Sequence, residues 1–217
     1  MGDADSEKRL AAEAAAELVE DGMTVGLGTG STVAFLLPAL AARGLSGIRC
    51  VATSYPTEHQ ARELGIPVEE FRKLERLDIA IDGTDQVTPD GWLIKGGGGA
   101  HLREKIVAAA AERFVVIADS SKPVDVLSAP VPLEIYEFGF LATLARLGDE
   151  VELREEAGIS PDDGFIADYM GEIDDPAALA ARLEADPGVA AHGLFPPAMV
   201  SELLVGAGGA VERTNFE

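Results

Sequence analysis

Apolar strand-like segments alternate with helix-like segments through the first 120 residues, and this order limits the possible fold more than any other feature. The strand-like segments are residues 23–27, 48–53, 78–81 and 114–118, with a shorter one around Val68. The helix-like segments between them are residues 6–20, 33–42, 54–64 and 101–112, with Ser6 as the N-cap of the first. Several of the strands are apolar throughout, which is typical of a parallel sheet covered by helices on both faces.

The pattern changes near Pro130. The order that follows is strand, helix, strand, strand, helix, strand, at residues 133–136, 138–147, 150–154, 165–170, 176–184 and 189–194. This βαββαβ order is that of a ferredoxin-like unit, and residues 203–206 and 210–213 then return to the first sheet. The predicted fold class is therefore α/β, with an open, mostly parallel, Rossmann-like sheet domain and a smaller ferredoxin-like α+β domain. The predicted boundaries are residues 1–129 plus 199–217 for the first domain and residues 130–198 for the second.

The charge balance excludes two classes of partner. The chain has 217 residues, of which 38 are acidic and 17 basic, for a net charge of −21. Such a surface repels nucleic acid and anionic membranes. The acids are dispersed, and Glu150, Glu152, Glu155 and Glu156 are expected on exposed faces. We expect a halophilic protein, because about 1 M salt shortens the Debye length to about 3 Å and screens surface repulsion; an ordinary acidic mesophilic protein is the alternative.

The remaining global features predict a cytoplasmic protein. The single cysteine, Cys50, excludes an internal disulfide and lies in an apolar segment, where we expect it in the core. The acidic N-terminus does not resemble a signal peptide. The longest apolar run, residues 32–42, is too short to span a bilayer.

Loops rich in glycine or hydroxyl groups follow the predicted strands at residues 28–32, 54–57, 82–85 and 119–122. Ligands bind beyond the carboxyl ends of the strands in an open parallel sheet, so these loops are expected to converge on one crevice. Residues 28–32 have the features of a phosphate cradle, with glycines, three hydroxyls and a following helix N-terminus. They match neither a Walker loop nor a dinucleotide fingerprint, and a tight turn with an N-cap is the alternative.

Four consecutive glycines, residues 96–99, lie between Lys95 and a helix that carries Glu104. Glycine is costly inside regular structure, so such a run indicates that backbone comes close to another group. A lysine, a set of amides and a carboxylate together suit proton abstraction next to a carbonyl. The alternative is a flexible loop before an ordinary helix. His101 is expected on the surface of that helix, and a position facing the substrate is the alternative.

Three charged residues in the other loops are candidates for the same site. Asp82 and Asp85 flank a turn, where they could share protons, hold sugar hydroxyls or cap the turn. No histidine or cysteine lies near them, so we predict no metal site. Lys122 follows a serine pair and suits an anion as a point charge.

These segments together resemble the type A ribose-5-phosphate isomerase family. The matching pieces occur in the family's order and spacing, and they are residues 25–32, Asp82-Gly-Thr-Asp, Lys95-Gly-Gly-Gly, Leu102-Arg-Glu-Lys-Ile and Ala118-Asp-Ser-Ser-Lys. Further similarity at residues 132–135 and 187–195 extends through the second domain, so that the resemblance covers nearly the whole chain.

The resemblance implies interconversion of ribose 5-phosphate and ribulose 5-phosphate through an enediol, in the non-oxidative branch of the pentose phosphate pathway, with no metal or organic cofactor. By the same resemblance Glu104 is the base, Asp82 and Asp85 hold hydroxyls and assist ring opening, and Lys95 stabilises the enediolate. Lys8 is a further candidate for contact with the substrate. The implied substrate-binding residues are Thr29, Gly30, Ser31, Thr32, Asp82, Gly83, Thr84, Asp85, Lys95, Gly96, Gly97, Gly98 and Lys122.

The sequence leaves some alternatives open. Adjacent helical residues point in different directions, so Glu104 is expected to face the crevice while Arg103 and Lys105 face away. Gln86 stands where the family usually has a glutamate, with an expected effect on local hydrogen bonding. A non-catalytic sugar-phosphate sensor of the same fold is the main alternative, and a related deaminase or coenzyme A transferase has no support. Symmetric assembly is the general expectation, as a homodimer or homotetramer.

Overall fold

The computed structural model describes residues 3–216, apart from the side chains of Asp3 and Glu155. Within this range the α-helices are α1 (Asp3–Ala16), α2 (Val33–Ala42), α3 (Tyr55–Glu63), α4 (His101–Ala110), α5 (Phe140–Leu147) and α6 (Pro176–Glu184). The strands are β1 (Thr24–Leu27), β2 (Arg49–Ala52), β3 (Leu77–Gly83), β4 (Gln86–Val87), β5 (Leu93–Ile94), β6 (Ala111–Asp119), β7 (Val131–Tyr136), β8 (Val151–Leu153), β9 (Gly164–Tyr169), β10 (Val189–His192), β11 (Leu194–Phe195), β12 (Glu202–Ala207) and β13 (Ala210–Asn215). No described helix has the length and apolarity needed to cross a membrane.

The large sheet has six strands in the order β13-β12-β6-β3-β1-β2. All neighbours in it are parallel except β12 and β13, which form an antiparallel pair at one edge. The last two strands therefore return to the first sheet as predicted. A second sheet has the order β10-β7-β9-β8, with every pair antiparallel and with α5 and α6 in the two crossovers. The structure thus confirms the predicted fold class.

The large sheet is covered on both faces because its central strands bury side chains on both sides. Ile79, Ile81 and Ile117 pack with α1 and α2 in one apolar cluster. On β6 the inward positions alternate with Ile117, so Phe114 and Val116 pack with α4 in a second cluster on the opposite face. This alternation follows from the two-residue period of a strand.

A three-stranded ribbon, in the order β11-β5-β4, lies between the two larger sheets. Strand β5 pairs with β4 on one side and with β11 on the other. The backbone N–H of Lys95 donates to the carbonyl of Gly193 over 2.9 Å, which extends the β5–β11 pairing by one residue. The ribbon thereby fixes the point at which the glycine run begins.

Some expectations about local structure are confirmed and some are wrong. Cys50 is fully buried, which raises the pKa of its thiol to about 12. Glu150, Glu152 and Glu156 are exposed as expected, whereas the side chain of Glu155 lies outside the described residues. Ser6 is not an N-cap, because α1 starts at Asp3 and Ser6 lies in its first turns.

The short third strand expected around Val68 is reduced to one isolated bridge between Val68 and Cys50.

Candidate active site

The carboxyl ends of β1 and β3 meet at Asp82. These strands are parallel neighbours, with Leu27 opposite Ile81. A Cβ at Gly28 would lie 2.0 Å from the Asp82 carboxyl group, so only glycine allows this approach. One Asp82 oxygen accepts the backbone N–H of Thr29 at 3.0 Å and that of Gly83 at 2.7 Å. The carboxylate is therefore held by the loops that follow both strands.

Lys95 joins Asp82 to Glu104. The Lys95 ammonium lies 3.0 Å from one oxygen of Asp82 and 3.4 Å from one oxygen of Glu104. It also donates to the carbonyl of Gly83. The three side chains are only 2% to 5% exposed. A buried ammonium between two carboxylates is thus the centre of the site.

Glu104 faces this centre from the first turn of α4, and its neighbours point elsewhere. Arg103 pairs with Asp162 at 2.8 Å, while Lys105 donates to the carbonyl of Leu194 at 2.9 Å. This confirms the expected orientation of the three residues. One oxygen of Glu104, the one that lies 3.4 Å from the Lys95 ammonium, accepts no hydrogen bond from the described residues.

Burial and neighbouring charges shift the pKa values of the three groups. Desolvation, followed by the charge of Asp82, raises the pKa of Glu104 to about 8, against the opposing effect of Lys95. Burial also raises the pKa of Asp82, which its bonds to Lys95 and two backbone N–H groups oppose. Burial disfavours the ammonium form of Lys95, but the charges of Asp82 and Glu104 outweigh it and raise the lysine pKa. A carboxyl group with a pKa near the working pH suits general base catalysis.

A polar cavity of about 100 Å³ opens onto these groups. Its lining residues are Thr29, Gly30, Ser31, Thr32, Gly83, Thr84, Asp85, Lys95, Gly96, Gly97, Gly98, Glu104 and Lys122. Each of them belongs to the site predicted from the sequence. Asp82 does not line the cavity and reaches it through Lys95.

One end of the cavity is suited to an anion. The loop of residues 29–32 leads directly into α2, whose dipole favours negative charge at this end. Lys8 on α1 donates to the Ser31 hydroxyl at 3.1 Å, and Lys122 approaches from the loop after β6. Two lysines and a helix N-terminus give this end a positive potential.

Of the four loops expected to converge on one crevice, those at residues 54–57 and 119–122 mainly support the other two. Ser54 caps α3 by accepting the N–H of Thr57, and the Thr57 hydroxyl donates to the carbonyl of Gly28 at 2.9 Å. In the loop after β6, Asp119 accepts the N–H of Ser121 at 2.9 Å. Only Lys122 of that loop lines the cavity.

The glycine run packs closely against its surroundings. Gly96 has φ +97°, and a Cβ there would lie 2.5 to 2.8 Å from His101 atoms. The expectation that His101 lies on the helix surface is wrong, because this side chain is fully buried. Burial lowers the pKa of His101 to about 3, so the ring is neutral and packs against the run. The N–H of Gly97 donates to Asp85 at 2.8 Å.

Size alone does not identify this site. A larger cavity of about 660 Å³ lies on the other face of α4, lined partly by Tyr55, Glu69, Phe71 and Arg103. It contains neither Lys95 nor Glu104. Among the described residues, no group of three His, Cys, Asp or Glu side chains is arranged to hold a metal ion.

Known proteins share both the sequence and the fold. The sequence profile of ribose 5-phosphate isomerase A (phosphoriboisomerase A) matches residues 49–209. Ribose-5-phosphate isomerase A of Caulobacter vibrioides (strain NA1000 / CB15N) is 48% identical, over 97% of this chain and 98% of that relative. The chain belongs to the ribose 5-phosphate isomerase A family.

Solved structures of ribose 5-phosphate isomerases superpose on nearly the whole chain. The crystal structure of ribose 5 phosphate isomerase A from Neisseria gonorrhoeae has a TM-score of 0.90 at 35% identity, covering 97% of this chain and 96% of that one. A D-ribose-5-phosphate isomerase in complex with phospho-erythronic acid has a TM-score of 0.91 at 34% identity, with 98% and 99% covered. The similarity in fold thus agrees with the family found from the sequence.

Gln86, which replaces the usual glutamate of the family motif, binds backbone rather than the site. Its side-chain amide donates to the carbonyl of Ser128 at 2.8 Å, and its side-chain oxygen accepts the N–H of Ser128 at 2.9 Å. An ionised glutamate could accept but not donate, so the amide satisfies both groups.

Sequence reasoning missed three residues that support the family site. Glu7 on α1 accepts the Ser120 hydroxyl at 2.6 Å and so holds the loop after β6. Arg154, just after β8, donates to the carbonyl of Gly97 at 2.9 Å. The Phe195 ring lies 5.6 Å from the Lys95 ammonium. These contacts join residues far apart in the chain, so no local motif marks them.

Proposed function

We propose that this chain interconverts ribose 5-phosphate and ribulose 5-phosphate through an enediolate, with Glu104 as the base. Isomerase activity follows from membership of the family. The observation that carries the residue roles is the buried Glu104 carboxylate, 3.4 Å from the Lys95 ammonium and facing the polar cavity. The related structure with phospho-erythronic acid, a phosphorylated sugar acid, supports a sugar phosphate as the ligand.

The phosphate group is assigned to the anion-binding end of the cavity. Thr29, Gly30, Ser31 and Thr32 offer hydroxyl and backbone donors there, and Lys122 adds charge. Lys8 is a further candidate, since its ammonium already contacts the Ser31 hydroxyl. A phosphate at this end directs the sugar chain towards Glu104.

The proton transfer is assigned to Glu104 and the charge stabilisation to Lys95. In the open-chain aldose, Glu104 removes the C2 proton, and the electron pair forms the C1–C2 double bond while negative charge develops on O1. Lys95 and the amides of Gly96 and Gly98 stabilise that oxygen, whereas the Gly97 N–H already donates to Asp85. Glu104 then returns the proton to C1, and a proton passes between O2 and O1.

The two aspartates are assigned to the hydroxyl groups. Asp82 and Asp85 lie on either side of the Gly83-Thr84 turn, which lines the cavity. Asp85, which also lines it, would hold sugar hydroxyls, while Asp82 would assist ring opening and proton exchange through Lys95. Thr84 donates to the carbonyls of Gln86 at 2.7 Å and Ile94 at 3.0 Å, which keeps this turn in place.

A non-catalytic sensor would not need this arrangement. Two carboxylates within 4 Å of one ammonium, with all three side chains only 2% to 5% exposed, are costly to bury. A phosphate-binding protein needs the loop of residues 29–32 but no buried base. The isomerase is therefore the function that the site supports.

The direct test is formation of ribulose 5-phosphate from ribose 5-phosphate in potassium chloride with EDTA. We expect activity that EDTA does not reduce, and a loss of about 10³-fold in Glu104→Gln, within the usual range for a general base. Glu63→Gln, at an exposed carboxylate on α3, is the control. Tight sugar-phosphate binding without turnover by the unaltered protein would contradict the proposal.

We further propose two domains, at residues 1–129 plus 199–217 and at residues 130–198, assembled as a homodimer or homotetramer. The division is supported by the separate apolar cluster around β7, β9, α5 and α6. Assembly is supported by exposed apolar side chains near the start of α5, where Phe138 is 97% and Leu141 69% exposed. Light scattering of the purified protein measures the assembly, and a monomer at micromolar concentration would contradict it.

The proposed setting is a halophilic cytoplasm. The net charge of −21 and the exposed glutamates support high salt. The one cysteine, buried and unpaired, supports a reducing compartment.

A further inference from the structure

We infer that Arg154 is a positioning residue of the active site, which holds the peptide between Gly97 and Gly98 so that the Gly98 N–H faces the catalytic cavity. This inference rests on the proposed function, because it assigns that N–H to the enediolate oxygen. Arg154 belongs to the ferredoxin-like part of the chain, while the glycine run lies next to the large sheet. Through this contact the ferredoxin-like part of the chain contributes to catalysis at the glycine run.

Arg154 is itself firmly held. Its guanidinium pairs with both oxygens of Asp168 on β9, with one of these contacts at 2.7 Å. Its backbone N–H donates to the carbonyl of Ile166 at 2.9 Å. Its side chain is 24% exposed and that of Asp168 16%. A fork-shaped guanidinium fixed by a carboxylate has a remaining N–H that points in a defined direction.

That remaining donor contacts the carbonyl of Gly97 at 2.9 Å. In a planar trans peptide the C=O and the following N–H point in opposite directions. The peptide that begins at Gly97 is trans, so the Gly98 N–H points away from Arg154. No acceptor within residues 3–216 receives this N–H, which leaves it available for a ligand atom.

The glycine run forms a thin wall between two cavities. On one side, Gly97 and Gly98 line the catalytic cavity with Lys95 and Glu104. On the other side, the same two glycines line a cavity of about 310 Å³ that Arg154 also lines. Because Arg154 lines only the second cavity, we assign the carbonyl it holds to that side, and the N–H on the other edge of the same peptide to the catalytic side.

Two side chains hold neighbouring peptides of this wall. Asp85 accepts the Gly97 N–H at 2.8 Å and so orients the preceding peptide. Arg154 orients the next one. Glycine has the greatest backbone freedom of any residue, so a run without such contacts would sample many orientations of its amides. Donors stabilise a developing charge best when they are already in place.

The test compares Arg154→Met with Arg146→Met in the full-length protein. Arg146 makes a similar two-point pair with Asp186 in the same part of the chain, but it has no contact with the glycine run. We expect Arg154→Met to lower kcat by about 10- to 100-fold, less than the loss of an entire oxyanion donor, with KM changed by less than about threefold. Arg146→Met should leave both constants near those of the unaltered protein.

Two inhibitors distinguish a loss of amide positioning in the glycine run from a general disruption of the site. Phospho-erythronate carries a carboxylate at the end that would occupy the reacting position, whereas inorganic phosphate occupies only the anion-binding end. In Arg154→Met we expect the Ki of phospho-erythronate to rise in parallel with the loss of kcat, and the Ki of phosphate to stay unchanged. Arg154→Lys keeps the charge and one donor, so its kcat should lie between those of the unaltered protein and Arg154→Met. It serves the same comparison if Arg154→Met does not fold.

Three results would overturn the inference: unchanged kcat in Arg154→Met, equal loss in Arg146→Met, or equal weakening of both inhibitors. An inactive unaltered protein would instead refute the proposed function, so the two failures are distinguishable.

Discussion

At the scale of single residues, the site depends on two carboxylates that share one buried ammonium. Lys95 lies within 3.0 Å of Asp82 and 3.4 Å of Glu104, so the group carries one excess negative charge when all three are ionised. Asp82 has two further backbone donors, whereas one Glu104 oxygen has none. The proton therefore goes to Glu104, whose pKa rises to about 8 because of burial and the Asp82 charge. The backbone donors favour the ionised form of Asp82 against its burial, while Glu104 accepts protons near neutral pH.

This difference predicts the pH dependence of catalysis. Glu104 acts as a base only when ionised, so kcat/KM should rise tenfold per pH unit below about 8 and level off above it. A profile of kcat/KM from pH 5.5 to 9.5 measures this for the free enzyme. Asp82→Asn removes a charge that raises the Glu104 pKa, so its residual activity should reach the plateau at lower pH. An acidic limb near 4.5, the ordinary value for glutamate, would contradict the account.

At the scale of elements, the site depends on how closely β1 approaches β3. Gly26 and Gly28 lie at the end of β1 on the same side of the strand. A Cβ at Gly26 would lie 2.5 Å from Val107 in the apolar core, whereas one at Gly28 would lie 2.0 Å from Asp82. Both positions require glycine, Gly26 because of core packing and Gly28 because of the position of Asp82 in the site.

Alanine substitutions at these two positions should separate stability from catalysis. Gly28→Ala displaces Asp82 from Lys95, and we expect kcat to fall by about 10²-fold or more, as for a misplaced catalytic group. Gly26→Ala should lower the melting temperature, because it overpacks the core at a cost of about 1–3 kcal/mol, while kcat per folded molecule stays near normal. Thermal melts and active-site titration of both variants measure this; equal kcat in the two would show that Gly28 has no special role.

The sequence predicts these elements well where they are long and periodic, and poorly where distant contacts decide. Helix α2 at residues 33–42 and α6 at residues 176–184 were both predicted with their observed bounds. The predicted start of α1 is wrong, because the helix includes Asp3 and Ser6 lies inside it. His101 is expected on a surface, but it is buried, because the glycine run packs against it and β7 and β10 contact α4. No local pattern marks Arg154, because 57 residues separate it from the carbonyl it binds.

At the scale of the whole molecule, negative charge is spread over the surface, whereas the cavity carries positive charge. The net charge is −21, yet the cavity contains Lys95 and Lys122 beside a helix N-terminus. The acidic residues are dispersed over exposed positions such as Glu152 and Glu156. The surface therefore repels itself in dilute buffer, while the site retains a local attraction for an anion.

This distribution predicts a stability that depends on salt. We expect the melting temperature to rise between 0.1 M and 2 M potassium chloride, because the Debye length falls from about 10 Å at 0.1 M to about 3 Å at 1 M. Replacing Glu152 and Glu156 with glutamine should weaken this dependence. Differential scanning calorimetry at fixed pH measures both proteins, and a melting temperature that does not change with salt would refute the halophilic proposal.

The central claim is that Glu104 carries the proton between C2 and C1, and isomerisation in D₂O tests it most directly. Proton NMR follows deuterium entering C1 of ribulose 5-phosphate, with Glu63→Gln as the control. The account predicts deuterium at C1 in the unaltered protein and in the control, and a loss of both exchange and conversion by about 10³-fold in Glu104→Gln. Conversion or exchange at the normal rate in Glu104→Gln would contradict it.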